Sequence, residues 1–379
     1  MPVQSAGTPR VLVTDAMPVN GGDEALLEAL LRGLRRRWPS VQTTVLCRKV
    51  EQSRTLLPSL RIEPALGEQA DERCVERLYH DADLVISTPG GFLNGHYDIA
   101  NTLRGFELAT RAGKPLVLFG QSIGPFATTA ERTAVSRALA GANLITVRDS
   151  ISLQYLAECG IPAERTRLIS DVALLWRRLV PSLFVAKSGA PRRAALCVRR
   201  WPWNDKGDET QRTIAKARHL VGHLTSKGLD EFLFISTCQG LPGYIDDSDL
   251  AMRVVEGLPA SLQDRCTVDR RRYHPVELMK RLSTYDVMFS MRLHGCLLAM
   301  LAGTPAMGLA YESKTPEIFR QLGLKKYQVP FTAFQTRWCA CASDLLDDLE
   351  TVRATLPAAL DRAADKVWRG FGQLAQFIR

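Results

Sequence analysis

The stretch DVMFSMRLHGCLLAMLA, residues 286–302, passes from a hydrophobic strand through a short polar turn into an apolar helix. Arg292 and His294 lie in the turn, two residues apart. In a parallel α/β sheet such a turn lies at the carboxyl edge, where ligands bind, and the following helix N-terminus attracts anions. We therefore expect Arg292 to contact an anion and His294 to give or take a proton. On this stretch alone, helix capping or pairing with a neighbouring carboxylate is an open alternative.

Strand and helix patterns alternate along the rest of the chain. Leu26, Leu30, Leu34 and Trp38 recur every four residues and predict a helix between the first two strands. The repeated strand–helix–strand pattern predicts an α/β protein with two Rossmann-like, doubly wound parallel-sheet domains that face a cleft. The predicted strands are residues 11–14, 43–46, 84–87, 116–119, 144–147, 195–198, 232–235, 266–268, 287–289 and 306–309.

The length of the chain, 379 residues, is large for one hydrophobic core, so we expect two domains. Proline, glycine and serine interrupt the pattern between residues 176 and 193, where we place the linker. The predicted N-terminal domain covers residues 1–178, and the predicted C-terminal domain covers residues 190–342. Residues 343–379 are expected to form a C-terminal helical segment.

The composition is that of a globular protein with a basic surface. Lys and Arg number 49 against 40 Asp and Glu, so the formal net charge is +9. Such a surface attracts anions, for example phosphorylated metabolites or anionic glycans. No nucleic-acid-binding motif occurs, so we predict no nucleic-acid partner. The basic cluster at residues 32–38 suits a helix C-terminus or, alternatively, contact with an anionic membrane surface.

Cysteine use and hydropathy predict a cytoplasmic location. The nine cysteines lack metal-ligand spacing, and Cys47, Cys197 and Cys296 lie in apolar runs, as expected for buried thiols in a reducing compartment. Residues 1–9 lack the pattern of a signal peptide, and no run of about 18 apolar residues occurs. We expect any membrane contact to be peripheral, at the inner face of the membrane. A homo-oligomer is compatible with the sequence.

Three glycine-containing loops follow predicted strands of the N-terminal half. Asn20 and Asp23 flank the glycines of the first loop, which matches neither a dinucleotide-binding fingerprint nor a P-loop. Gly90 and Gly91 lie in the second loop, and Gln121 lies in the third. Because these loops meet at one sheet edge, we expect them to hold a polar ligand, with a sugar hydroxyl at Asp23. For the first loop, helix capping is the alternative.

Basic residues follow several of the predicted strands. Arg199 comes after the strand at 195–198 and belongs to the same predicted sheet edge as Arg292, and Lys314 follows the last predicted strand. Two arginines that converge on one edge suit a small anion. Arg148 opens the stretch RDS, residues 148–150, which forms either part of a ligand site or an Arg–Asp pair with a serine helix cap.

Seven segments occur in order over most of the chain: NGGDEA (20–25), PGG (89–91), QSIGPF (121–126), RDS (148–150), SDVA (170–173), RLHG (292–295) and YESK (311–314). Together they resemble the polysaccharide pyruvyl transferase family, with QSIGPF and RLHG the most specific. The resemblance implies a GT-B-like fold. It also implies transfer of the pyruvyl group of phosphoenolpyruvate to two hydroxyls of a saccharide, forming a ketal and releasing phosphate. The expected setting is the biosynthesis of exopolysaccharide, capsule or cell-wall glycan.

The resemblance also implies roles for individual residues. His294 is the expected general acid/base, and Arg292 is the expected contact of the donor anion. The other implied donor-binding residues are Arg199, Arg148, Gly295 and Lys314. The implied acceptor-binding residues, for a saccharide or lipid-linked oligosaccharide, are Asn20, Asp23, Gly90, Gly91 and Gln121. The scheme requires no metal or cofactor, and the base on the acceptor side, Asp23 or Asp149, is not decided by the sequence.

Two other functions are compatible with the sequence. A GT-B glycosyltransferase that uses a nucleotide sugar has the same domain architecture and a positive second domain. A non-catalytic family member would bind an anionic sugar and lack the acid/base residue, whereas His294 and Arg292 are both present here. The identity of the donor ligand therefore distinguishes the two enzymatic functions, pyruvyl transfer and glycosyl transfer.

Overall fold

The computed structural model describes residues 8–68, 71–201 and 208–378. The prediction about a signal peptide concerns residues that lie mostly outside these ranges. Contacts divide the chain into two compact units. The first unit comprises the described residues up to Val19, Asp23–Leu175 and those from Ala363 onward; the second comprises Asn20–Gly22 and Trp176–Arg362.

The first unit is built on a sheet in which all strand pairs are parallel. Its strands are β1 (Arg10–Ala16), β2 (Gln42–Cys47), β3 (Arg61–Pro64), β4 (Leu84–Ser87), β5 (Gly90–Leu93), β6 (Leu116–Ile123), β7 (Leu144–Val147) and β8 (Thr166–Leu168). They lie in the order β3-β2-β1-β4-β6-β7-β8, and β5 pairs with β6. The order reverses between β1 and β4, which places a ligand-binding edge beside the ends of these two strands.

The helices of the first unit follow the predicted amphipathic pattern. They are α1 (Gly21–Arg37), α2 (Val50–Leu56), α3 (Glu72–Asp81), α4 (Ala100–Arg111), α5 (Thr129–Leu139) and α6 (Ser150–Glu158). In α1, Leu26, Leu30 and Leu34 are fully buried, as the four-residue spacing predicts. The last turn of α1 is basic and exposed, so the arginine cluster lies at a helix C-terminus, where the dipole favours cations.

The second unit is built on another all-parallel sheet. Its strands are β9 (Arg193–Cys197), β10 (Glu231–Phe234), β11 (Cys266–Val268), β12 (Val287–Ser290), β13 (Ala306–Ala310) and β14 (Gln328–Pro330). They lie in the order β11-β10-β9-β12-β13-β14. Here the order reverses between β9 and β12, the strands that precede Arg199 and Arg292.

Helices cover the strands of the second unit. They are α7 (Trp176–Leu179), α8 (Glu209–Ser226), α9 (Ser248–Glu256), α10 (Ala260–Gln263), α11 (Pro275–Leu282), α12 (Leu293–Leu301), α13 (Lys314–Gln321), α14 (Gln335–Asp347) and α15 (Leu349–Leu374). In α12 every residue except His294 is buried. This burial explains why α12 is apolar on all faces, unlike an amphipathic surface helix.

All ten predicted strands are confirmed, and the two parallel α/β sheets confirm the predicted fold class. Four strands, β3, β5, β8 and β14, were not predicted. Three of them are short outer strands with polar or charged residues, so they lack the hydrophobic run of a central strand. The fourth, β5, consists of Gly90, Gly91, Phe92 and Leu93, a glycine stretch that predicts a loop.

The unit boundaries differ from the predicted domain limits. The main segment of the first unit ends at Leu175, three residues before the predicted limit of 178, and the predicted linker contains α7. The C-terminal segment is helical, as predicted. Its residues up to Arg362 belong to the second unit, and those from Ala363 onward belong to the first. Packing explains this change of unit, because the Phe371 ring lies 4.8 Å from that of Phe119 in the first unit.

All nine cysteines are free. Cys47, Cys197 and Cys296 are buried in the cores of their units, as predicted. Burial raises the pKa of each of these three thiols, that of Cys47 to about 12, so they are unreactive thiols. Across the described part of the chain, no helix combines the length and apolarity needed to cross a bilayer.

Candidate active site

Arg199 and Arg292 lie side by side at the carboxyl edge of the second sheet. Cys197 on β9 pairs with Ser290 on β12, so each arginine lies two residues beyond a paired strand end. The loops that follow these strands are also joined, since the Met291 amide donates to the Cys197 carbonyl at 2.9 Å. The two arginines therefore occupy the switch point of the sheet, as the sequence predicts.

Arg292 forms a bidentate ion pair with Asp247. Its Nε and Nη2 donate to the two carboxylate oxygens, and both side chains are almost fully buried. Ser236 donates a further hydrogen bond to the same carboxylate. The pairing with a neighbouring carboxylate, an alternative left open by the sequence, is thus the observed state of Arg292. Among the described residues, none accepts a hydrogen bond from Nη1 of Arg292, which is the donor left for a ligand.

Arg199 is held by aromatic rings. Its guanidinium carbon lies 5.1 Å from the centre of the Trp201 ring and 4.7 Å from that of Tyr311. Nη1 also donates to the Tyr311 hydroxyl at 2.9 Å. No carboxylate of the described residues lies within 4.0 Å of this guanidinium. Arg199 is only 9% exposed, so it is a largely desolvated cation whose charge is not balanced by any acid of the described residues.

His294 lies in the first turn of α12 and is half-buried. A Cβ atom on Gly22 would come within 2.4 Å of His294 Nδ1, so the imidazole packs directly against the glycine backbone. The amide of Gly21 donates to the Thr237 carbonyl at 2.9 Å, and a Cβ there would lie 2.5 Å from the same oxygen. The two glycines are therefore required by the close approach of this loop to Thr237 and His294.

Asn20 lies in the same loop and belongs to the second unit. Its side-chain oxygen accepts a hydrogen bond from the Gly22 amide at 2.9 Å, which is the predicted capping role. Asp23 is half-buried in the first turn of α1, where it interacts with other residues, and it belongs to the first unit. Asn20 therefore caps the glycine that packs against His294, whereas Asp23 belongs to the other unit.

Gly295 and Lys314 complete the predicted donor set of the second unit. A Cβ on Gly295 would lie 2.6 Å from the hydroxyl of Ser290, which accepts from the Arg292 amide and donates to the Arg292 carbonyl. Gly295 therefore allows the tight turn that presents Arg292. Lys314 begins α13 and pairs with the carboxylate of Glu312, so its charge is already compensated within the unit.

Gln121 is fully buried at the carboxyl edge of the first sheet. Its Nε2 donates to the Ser87 hydroxyl at 2.7 Å and to the Thr88 carbonyl at 3.1 Å. Contact with that carbonyl fixes the orientation of the amide, because a flipped amide would set two oxygens against each other. The Gln121 Oε1 and the Thr88 hydroxyl have no hydrogen-bond partner among the described residues. Gly90 on β5 pairs with Gln121, and Gly91 lies beside it.

Asp15 joins this polar cluster and was missed by the sequence analysis. It follows the predicted strand at 11–14, and its carboxylate accepts from the hydroxyls of Thr14 at 2.7 Å and Ser87 at 2.9 Å. Its backbone has a φ of 64°, the left-handed region that costs most residues energy. It also lines a cavity of about 10 Å³, enough for one water molecule. The sequence signal that could have identified Asp15 as a site residue is its position directly after a predicted buried strand.

The pKa of the Asp15 carboxyl is raised, because burial removes water from it more than Thr14, Thr102, Ser87 and Arg48 compensate. A carboxylate with a raised pKa destabilises the folded state above that pKa, and the penalty disappears as the pH falls through it. We therefore expect Asp15→Asn to raise the melting temperature at neutral pH by about 2–4 °C, with the gain shrinking in acid. Asparagine also tolerates the left-handed backbone.

Thermal unfolding of both proteins between neutral and acidic pH measures this effect. Asp264→Asn is the matched control, because that side chain is exposed at the end of α10. It should leave the pH dependence of unfolding unchanged. A lower melting temperature for Asp15→Asn at neutral pH would contradict the assigned cost of the buried carboxylate.

Arg148 and Asp149 have structural roles in the first unit. Arg148 is 1% exposed, and its guanidinium donates to Asp171 at 2.6 Å and to the Ser122 hydroxyl at 2.8 Å. The Arg–Asp pair that the sequence left open for this stretch is formed with Asp171 and not with Asp149, and the role of Arg148 as a donor contact stays a prediction. Asp149, rather than Ser150, caps α6, and its carboxylate accepts hydrogen bonds from Ser152 and Ser122. Its carboxylate thus has a capping role, and its alternative role as the acceptor-side base stays a prediction.

Comparison with known proteins agrees with the motif pattern. A family model described as polysaccharide pyruvyl transferase matches residues 20–313. The chain is 26% identical to the amylovoran biosynthesis protein AmsJ of Erwinia amylovora over 254 residues, 64% of this chain and 60% of that protein. This chain therefore matches less than two thirds of the length of that curated relative.

Solved structures of GT-B-like proteins share the fold. A UDP-N-acetylglucosamine 2-epimerase assigned in Listeria monocytogenes has a TM-score of 0.64 at 12% identity, covering 98% of this chain and 96% of that one. HepE of Anabaena, solved with UDP and glucose, has a TM-score of 0.61 at 13% identity, covering 97% and 99%. At such identities the likeness concerns the fold, and chemistry must be argued from the site.

Proposed function

Because this chain belongs to the polysaccharide pyruvyl transferase family, we propose that it transfers the pyruvyl group of phosphoenolpyruvate to a saccharide. The product is a cyclic ketal on two sugar hydroxyls, and phosphate is released. The observation that carries the proposal is the buried Arg199 cation, which pairs with no acid of the described residues, beside Arg292 and His294 at the edge of the second sheet. A donor with a carboxylate and a phosphate matches this arrangement.

The residues of the second unit suit each step of the transfer. His294 protonates the methylene carbon of phosphoenolpyruvate, so that the adjacent carbon accepts the first sugar oxygen. The bond from this carbon to the phosphate oxygen then breaks, and the second sugar oxygen closes the ketal. Of the two hydroxyl protons, one replaces the proton given by His294 and the other leaves with phosphate. Arg199 and Nη1 of Arg292 stabilise the charge of the departing phosphate.

The first unit supports binding of a neutral, hydroxyl-rich acceptor. Gln121, Asp15 and Thr88 present amide, carboxylate and hydroxyl groups at the switch point of its sheet. Such groups pair with sugar hydroxyls. Gly90 and Gly91 permit close approach of a ligand to the backbone of β5. The relative AmsJ is named for amylovoran biosynthesis, which supports a saccharide or lipid-linked oligosaccharide acceptor in polysaccharide biosynthesis.

A nucleotide-sugar glycosyltransferase is the second candidate, favoured by structural neighbours that were solved with UDP. Calorimetric titration with phosphoenolpyruvate, UDP and CMP separates the two functions without knowledge of the acceptor. Saturable binding of phosphoenolpyruvate supports pyruvyl transfer and justifies a screen of acceptors by mass spectrometry. Binding of a nucleotide without binding of phosphoenolpyruvate would replace pyruvyl transfer by the glycosyltransferase function.

Arg199→Met tests the anion contact. Loss of a desolvated cation that pairs with the donor costs roughly 2 kcal/mol or more of binding free energy, so phosphoenolpyruvate should bind about thirtyfold more weakly. Arg200→Met is the matched control, since the neighbouring arginine is exposed and its replacement changes the net charge equally. Calorimetry on the two variants measures the difference. Equal affinities for phosphoenolpyruvate would remove Arg199 from the donor site.

A further inference from the structure

Asp247 is the acid that compensates Arg292. It lies at the start of α9, where its side chain makes no capping hydrogen bond and turns instead to Arg292. Acids at helix starts ordinarily bind the free amides of the first turn. The Asp247 carboxylate instead binds Arg292, and Asp247 is only 3% exposed.

The loop that presents Asp247 is tied at several points. Its backbone amide donates to the Cys238 carbonyl at 2.9 Å, and Ser236 bonds both the Asp247 carboxylate and the Cys238 amide. Thr237, which lies between Ser236 and Cys238 in the same loop, accepts the hydrogen bond from the Gly21 amide. One loop after β10 therefore holds Arg292 and also the glycines that back His294.

We propose that Asp247 is a positioning residue that fixes the orientation of Arg292 and cancels its charge, so that Nη1 faces the donor while Arg199 supplies the net positive charge. This inference rests on the proposed function, because it assigns the two arginines to one anionic donor. The bidentate pair allows only one rotation of the guanidinium plane. A guanidinium held in this way loses little freedom when its remaining donor engages the ligand.

The proposal predicts opposite changes in affinity and turnover for Asp247→Asn. The amide keeps the size of the side chain but removes its charge, so the positive charge of Arg292 is no longer cancelled. Inorganic phosphate and phosphoenolpyruvate should then bind about threefold to tenfold more tightly. Turnover, measured as phosphate release with an acceptor, should fall about tenfold or more because Arg292 is no longer oriented. A purely structural role for Asp247 would weaken binding together with turnover.

Calorimetry with inorganic phosphate and with phosphoenolpyruvate, on folded protein checked by circular dichroism, is the test. Unchanged or weaker phosphate binding by Asp247→Asn would overturn the proposal. Asp249→Asn is the matched control, since this acid on α9 is exposed and pairs with Arg270 at the surface. It should alter neither affinity nor turnover. In an Arg292→Met background, Asp247→Asn should cause no further loss of turnover, because the residue that Asp247 positions is absent, and a further loss would also contradict the proposal.

Ser236→Ala covers the case in which Asp247→Asn does not fold. It removes the hydroxyl that donates to the carboxylate and accepts from the Cys238 amide, and it leaves the charge of Asp247. Phosphate affinity should therefore be unchanged while turnover falls about threefold or more. Unchanged turnover in that variant would overturn the positioning role. Failure of the proposed function has a different signature: wild-type protein would bind inorganic phosphate but not phosphoenolpyruvate.

Discussion

Replacing His294 by alanine is expected to abolish pyruvyl transfer while phosphoenolpyruvate still binds. In the proposed mechanism the imidazole delivers the proton that makes the donor carbon electrophilic, and a positioned acid of this kind contributes roughly a hundredfold to ten-thousandfold. In the same mechanism the donor's charges are held by Arg199 and Arg292, which are held in place by Tyr311 and Asp247. Donor affinity should therefore change little.

Phosphate release in the presence of acceptor measures turnover, and calorimetry measures donor affinity. His219→Ala is the matched control, because that histidine is exposed on α8. It should retain wild-type activity. Full turnover by His294→Ala would exclude His294 as the acid, and a parallel loss of donor binding would show that it serves as an anion contact.

Replacing Gly22 by alanine is expected to reduce turnover about a hundredfold by displacing the imidazole of His294. The added Cβ would lie 2.4 Å from His294 Nδ1, where ordinary contacts begin near 3.4 Å. The imidazole must therefore move by about 1 Å, a displacement of the size that costs about a hundredfold in a positioned catalytic group. Alanine is a better helix former than glycine, so α1 itself should not be weakened.

Gly222→Ala is the matched control for this substitution. Gly222 lies within α8, and a Cβ there meets no atom within 4 Å. That variant should keep full activity and gain some stability from its helix propensity. Thermal unfolding together with phosphate release separates the two glycines. Full turnover by Gly22→Ala would show that the His294 ring can move aside at no cost to catalysis.

Local sequence pattern was sufficient for most of the fold. Hydrophobic runs and helical spacing depend on neighbours a few residues apart, so all ten predicted strands and the burial of Leu26, Leu30 and Leu34 could be derived from the chain. The same reasoning placed Arg199 and Arg292 at one sheet edge. Outer strands such as β3 and β8 were missed because one side of an outer strand has no neighbour that demands a hydrophobic run.

The partners of the charged residues were not predictable from sequence. Asp247 lies 45 residues from Arg292, and no local pattern selects it from the other acids of the chain. Arg148 illustrates the same limit, since its partner Asp171 lies 23 residues away on a different segment. A charge in a turn indicates a ligand site or an ion pair equally well, and only the contacts of the folded chain distinguish them.

By itself, the sequence determined the fold class, the family motifs and the residue types at each sheet edge, because these follow from short-range periodicity and from the order of segments along the chain. Only the tertiary structure decided which of these residues act together. It placed Asn20–Gly22 in the same unit as His294, neutralised Arg292 with Asp247 and set Arg199 against the aromatic rings of Trp201 and Tyr311. The physical reason is that burial and electrostatic pairing depend on distances in space between segments that are far apart in the chain.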